Sequence, residues 1–114
     1  MLSPHTTTTF DAWYLSLSLE QTALVDRYVA YLTEFGIGLK HPYCSGFPGS
    51  KHGLRELRVQ STKHPMRIFY TFAPDRQPVL ILGADKKGVH NEGKWTKKML
   101  AQAEALYEAW LASP

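Results

Sequence analysis

The stretch Gly53-Leu-Arg-Glu-Leu-Arg-Val-Gln60, followed by Met66-Arg-Ile-Phe-Tyr-Thr-Phe72 and then Pro78-Val-Leu-Ile-Leu-Gly-Ala-Asp-Lys-Lys87, decides how the rest of the chain is read. It predicts three consecutive strands. From Leu54 to Gln60 the residues alternate, with Arg55, Leu57 and Val59 on one side and Leu54, Glu56, Arg58 and Gln60 on the other. A period of two marks a strand with one wetter face. Met66 to Phe72 is dense in aromatic and β-branched residues, and Val79 to Leu82 is apolar on both sides, which suits a strand covered twice. The links are short: Ser61 to Pro65 makes the first turn, and Asp75-Arg76 after Pro74 the second. Two short links in a row predict an antiparallel meander. Cationic side chains therefore ride on a small, rigid sheet.

On either side of the meander the pattern turns helical. Phe10, Trp13, Tyr14 and Leu17 carry the spacing of a short amphipathic helix. Ser18 with Gln21 three residues later predicts a capping box, and Leu24, Val25, Tyr28, Leu32 and Phe35 form the stripe of a second helix that stops at Gly36. These two make a helical hairpin that must bury its apolar side on the sheet. Ile37 to His52, rich in Gly and Pro, reads as a long loop, and such loops often meet a partner or substrate. A last helix runs from about Trp95 to Leu111, with Met99, Leu100, Ala103, Leu106, Tyr107 and Trp110 on its apolar side. Residues 1–9 read either as a short edge strand or as a loose terminus. The expected fold is α+β in two layers: a helical hairpin packed on a small antiparallel sheet, with a C-terminal helix.

Bulk properties narrow the function. At 114 residues the chain is one domain, 1–114, with room for a single core. Charged residues make up 20% and hydrophobic residues 44%, too apolar for a disordered tail. The net charge of +3 is a mild bias, so an argument for nucleic acid needs local clustering. Most lysines and arginines fall between Lys40 and Lys98. Cys44 is the single cysteine, which rules out an intrachain disulfide and a four-cysteine zinc site. A cytoplasmic protein is expected. No apolar run approaches the ~18 residues of a membrane span, and the start lacks the order of a signal peptide.

The candidate chemistry follows by elimination. His5, His41, His52, His64 and His90 all fall in predicted loops, with no HExxH or CxxC spacing, so neither metal nor cofactor is expected. There is no GxSxG, and Gly46 to Lys51 does not have the spacing of a phosphate loop. What remains is the basic set Arg55, Arg58, Arg67, Lys86, Lys87, Lys94, Lys97 and Lys98. Arginines on strands point in fixed directions, and the guanidinium fork matches phosphate oxygens. The plainer reading is a solvated face with ordinary ion pairs, such as Glu56 with a cross-strand arginine. Trp95 follows the basic loop and stands at the edge of any cleft there.

Leu54-Arg-Glu-Leu-Arg58, Arg67-Ile-Phe-Tyr70 and a hydrophobic strand ending in Lys86-Lys87 resemble the HigB-like branch of the RelE/ParE toxin superfamily. The short Trp-containing helix, the long helix ending at Phe35-Gly36 and the Gly/Pro loop agree, so the resemblance covers residues 8 to 111. It implies a RelE-like fold and the toxin of a type II toxin–antitoxin system that enters the ribosome and cuts mRNA without a metal. The ribose 2′-OH would attack the adjacent phosphate. On that reading Arg67 and Lys86 meet transition-state charge, and His90 serves as acid or base, since imidazole titrates near neutrality. Arg58 and Lys87 hold the RNA backbone, and Arg55 and Lys94 extend the RNA-binding set. The implied partners are the ribosome and mRNA, and a helix-turn-helix, HigA-like antitoxin that carries the toxin to operator DNA. Two alternatives stand beside it: a ParE-like inhibitor of DNA gyrase, and a non-catalytic relative that only binds RNA or protein.

Overall fold

A computed structural model describes residues 2–113. In chain order the elements are β1 (His5–Thr6), α1 (Thr8–Leu15), α2 (Leu19–Phe35), a 3-10 turn (Gly36–Gly38), β2 (Cys44–Gly46), β3 (Arg55–Val59), β4 (Met66–Phe72), β5 (Pro78–Asp85) and α3 (Glu92–Ala112). The strands form one sheet in the order β1-β5-β4-β3-β2. β2 to β5 are antiparallel neighbours, as the short links require, whereas β1 joins β5 in parallel. The sheet is therefore mixed and five-stranded, wider than the meander alone. The N-terminal segment is an edge strand at His5–Thr6, and the loop of residues 37–52 contains a second one, β2.

Helices cover both faces of the sheet, so the domain has three layers rather than two. One core joins Leu57, Val59, Met66, Ile68, Tyr70 and Leu80 to Phe10, Val25, Leu32 and Leu39 from the N-terminal helices and the turn after them. The other joins Leu54, Phe69, Val79, Ile81 and Leu82 to Ala103 and Tyr107 of α3. The alternating pleat makes this possible: Ile68 and Phe69 are neighbours, each fully buried, on opposite faces. β5 is bulged at Ile81, opposite Phe69 and Tyr70 of β4, which pair with Leu82 and Leu80 and leave Ile81 unmatched. The extra residue lets Ile81 and Leu82 both join the α3 core.

Local chemistry sets where the helices begin and end. Thr7 caps α1 through Phe10 N–H, and its hydroxyl donates to the Ile81 carbonyl at 2.6 Å, which ties the helix start to β5. The capping box of Ser18 and Gln21 is formed in both directions. Gly36 ends α2 with φ of 54°, a conformation that disfavours any side chain. α1 rests on β5 where Gly83 exposes bare backbone, since a Cβ there would come within 2.1 Å of the Trp13 ring. The Asn91 side chain accepts from Lys94 N–H and caps α3, which starts at Glu92, three residues earlier than the apolar periodicity suggests.

Candidate nucleic-acid interface at the end of the sheet

β3 pleats Glu56 and Arg58 towards the α3 side, and β4 does the same with Arg67. Arg58 and Arg67 are directly opposite in the register, and Glu56 lies diagonally across from Arg67. α3 packs over the apolar part of this face and begins beside the arginines, where Lys86 leaves the end of β5. The Lys86 backbone N–H donates to the Pro65 carbonyl at 2.8 Å, which fixes the strand exit against the β3–β4 turn.

The cations meet two carboxylates. Arg67 Nε lies 3.1 Å from Glu56 Oε1, and Arg67 Nη2 is 3.8 Å from Glu92 Oε1. The same Glu92 oxygen is 2.5 Å from Lys86 Nζ. Ser45 Oγ donates to the other Glu56 oxygen at 3.2 Å and holds that carboxylate from the β2 side. Arg67 is only 5% exposed, unusual for a guanidinium, while the Glu92 side chain is 54% exposed. Burial pulls the Arg67 pKa below the usual arginine range; Glu56 opposes this, Arg58 adds to it and Glu92 opposes it. Lys86 does the reverse to Glu92, holding its carboxyl below the usual carboxylate range through their hydrogen bond. Arg58 is less well matched. Its Nη1 is 3.5 Å from His41 Nε2, and its buried Nε has no partner.

The other residues singled out in the sequence divide into two places. Lys87, His90 and Lys94 are exposed on the loop and first turn leading into α3. His90 and Lys94 line a shallow hollow of about 290 Å³ with Val89, Asn91, Trp95 and Lys98. None of these cations has an acidic partner among the described residues. Arg55 is on the opposite face, turned there by the same alternation that presents Arg58. Its Nη2 lies 3.5 Å from Cys44 Sγ, beside Tyr70, in a hollow that also holds Leu39 and Phe72. The sheet separates it from the Arg58–Arg67 pair.

Sequence reasoning assigned Glu92 and His41 no role at this site. An acid in the first turn after an asparagine cap, close behind a lysine pair, is a signal for Glu92. For His41 there is none, because a loop residue's position depends on the whole fold. The site thus offers cations at one end of the sheet, of which Arg67 and Lys86 are held in direction by Glu56 and Glu92. Such groups can bind an anion and stabilise charge that develops on it.

A family profile described as phage-derived protein Gp49-like matches residues 12–108, from α1 through most of α3. The chain belongs to the Gp49-like family. This Gp49-like chain is similar to the putative toxin HigB3 of Mycobacterium tuberculosis (strain ATCC 25618 / H37Rv), at 33% identity over 104 residues, covering 90% of this chain and 88% of that protein. It is also similar to the putative toxin HigB2 of the same strain, at 29% identity over 103 residues and 89% of this chain; the chain spans 50% of HigB2's length. The Gp49-like domain is therefore a HigB-like toxin, as the strand motifs around Arg58, Arg67 and Lys86 suggest. Among the described residues no helix is long and apolar enough to cross a membrane.

Proposed function

We propose that this protein is the toxin of a toxin–antitoxin pair and acts as an endoribonuclease on mRNA in the ribosome. The observation that carries the reading is the gathering of Arg58, Arg67 and Lys86 at one end of one sheet face, with Lys87, His90 and Lys94 exposed on the loop and first helical turn that follow Lys86. In the reaction the 2′-oxygen of a ribose bonds to the adjacent phosphorus while the bond from phosphorus to the 5′-oxygen breaks. The products are a 2′,3′-cyclic phosphate and a free 5′-OH. One proton leaves the 2′-OH and one reaches the departing 5′-oxygen, and His90 is the candidate to carry one of them. Arg67 and Lys86 face the charge that grows on the phosphoryl oxygens, where a preorganised donor is worth ~10²–10³ in rate. Arg58 and Lys87 hold the flanking backbone, and Lys94 extends the track along α3. Arg55 belongs to the RNA path only if the strand wraps around the β2 edge. A helix-turn-helix antitoxin is the expected partner that silences the site and links it to operator DNA.

The test is primer extension on an mRNA translated in the presence of the purified protein. Cuts within codons, lost in Arg67→Ala and Lys86→Ala variants that stay folded, are expected. Inhibition of DNA supercoiling without cuts would replace this reading with a gyrase-directed one.

A further inference from the structure

Glu92 stands where the proposed reaction needs a phosphate. One oxygen, Oε1, reaches both Lys86 Nζ and Arg67 Nη2, as a non-bridging phosphate oxygen would. Its partners are well buried, with 20% and 6% of their side chains exposed, whereas Glu92 itself is 54% exposed. The cations are thus enclosed, and the acid meets them from the solvent side. Glu56 differs, since only 13% of its side chain is exposed and Ser45 holds its second oxygen.

We propose that Glu92 is an internal stand-in for an RNA phosphodiester: its carboxylate fills the anion position between Arg67 and Lys86 and leaves when RNA binds. This rests on the reading of the site as an RNA-cleaving one, and adds to it a built-in restraint. The exchange conserves charge. A phosphodiester and a carboxylate each carry one negative charge, so Arg67 and Lys86 never lose their counter-ion while the RNA enters. A substrate strand overcomes the competition because it brings several phosphates at once, to Lys87 and Lys94 as well as to the central position.

The experiment compares the full-length wild-type protein with Glu92→Gln in two assays. One measures binding of a short 2′-O-methyl RNA, which cannot be cut, by fluorescence anisotropy at fixed salt. The other is the translation-coupled cleavage assay. Asp85→Asn, which raises the net charge equally at the same strand exit, is the control. Glu92→Gln should bind the RNA severalfold more tightly than wild type, the scale of one partly exposed ion pair released from competition. Asp85→Asn should gain much less, and adding Arg67→Ala to Glu92→Gln should abolish the gain. Equal gains in Glu92→Gln and Asp85→Asn, or no gain in either, would overturn the inference. So would tighter binding with a collapse of cleavage, because Glu92 would then belong to the chemistry. If neither protein cuts mRNA yet Glu92→Gln binds more tightly, the endonuclease reading fails and the stand-in survives. Should Glu92→Gln unfold, Glu92→Asp gives the same reading at constant charge: a reach shortened by one methylene should tighten RNA binding severalfold, and unchanged binding would overturn the proposal.

Discussion

Arg58 and Arg67 face each other directly across β3 and β4, two guanidinium groups at one cross-strand position. Like charges so placed work against the sheet. The opposition is relieved only in part, by Glu56 against Arg67 and by Glu92 from α3. A like-charge pair on a central strand is the kind of local conflict expected at a functional site.

Removing one member of that pair should therefore separate stability from activity. Arg58→Gln should leave the unfolding free energy unchanged or raise it by about 0.5 kcal/mol, since it removes the like-charge contact. On the proposed reading it should weaken RNA cleavage all the same, because Arg58 holds the backbone beside the reacting phosphate. Glu56→Gln should do the opposite to stability and lower it by about 1–3 kcal/mol, because Arg67 is left buried with a distant counter-ion. In the double variant the loss should be smaller than the sum of the two, which urea unfolding of all four proteins measures.

The contact between α1 and β5 gives a packing prediction. Gly83→Ala would put a methyl carbon 2.1 Å from Trp13 Cε3, well inside contact distance. The ring must move or the helix must lift, and overpacking of this kind typically costs 1–3 kcal/mol. Trp13→Leu in the same chain should recover part of that loss. Thermal unfolding of the two variants and wild type tests it, and equal midpoints for Gly83→Ala and wild type would refute the close approach.

A third prediction concerns acid. The folded-state pKa of Glu92 is depressed, chiefly by the Lys86 hydrogen bond. Its contribution to stability is thus full above the ordinary value of 4.5 and is lost as pH falls through the depressed value. Exposure of the side chain keeps this contribution small. The clearer readout is the Glu92 carboxyl resonance followed by NMR. In Lys86→Ala its midpoint should move up towards the ordinary carboxylate range, and the stability difference between the two proteins should vanish below the wild-type midpoint.

The strands and helices that carry a period were legible in the sequence. Leu54 to Gln60 alternates as written, Ser18 and Gln21 form their box, and Ala103, Tyr107 and Trp110 face the sheet from α3. Of the two edge strands, β1 was one of two readings of residues 1–9, and β2 was read as loop. β1 has two residues and β2 three, too few to show alternation, and each exists only because a longer neighbour supplies its hydrogen bonds. The layer count was missed for a related reason: the apolar run of β5 shows cover on two sides, but not which helix supplies each. At the site, the alternation of β3 set Arg55 and Arg58 on opposite sides, yet both were counted in one RNA-binding set, and the structure keeps Arg55 on the other face. The meeting of Glu92 with Arg67 could not be read, because it depends on where a helix starts relative to a strand distant in sequence.

That starting point has a wider meaning. Asn91 stops α3 at the border between the oily and the charged halves of the sheet, so a single amide decides how much of the platform is roofed and how much is left as a window. Relatives built on the same frame could widen or narrow that window by moving the cap a few positions, about 1.5 Å per residue, with every strand left unchanged. The aperture for a target would then be tuned independently of the scaffold.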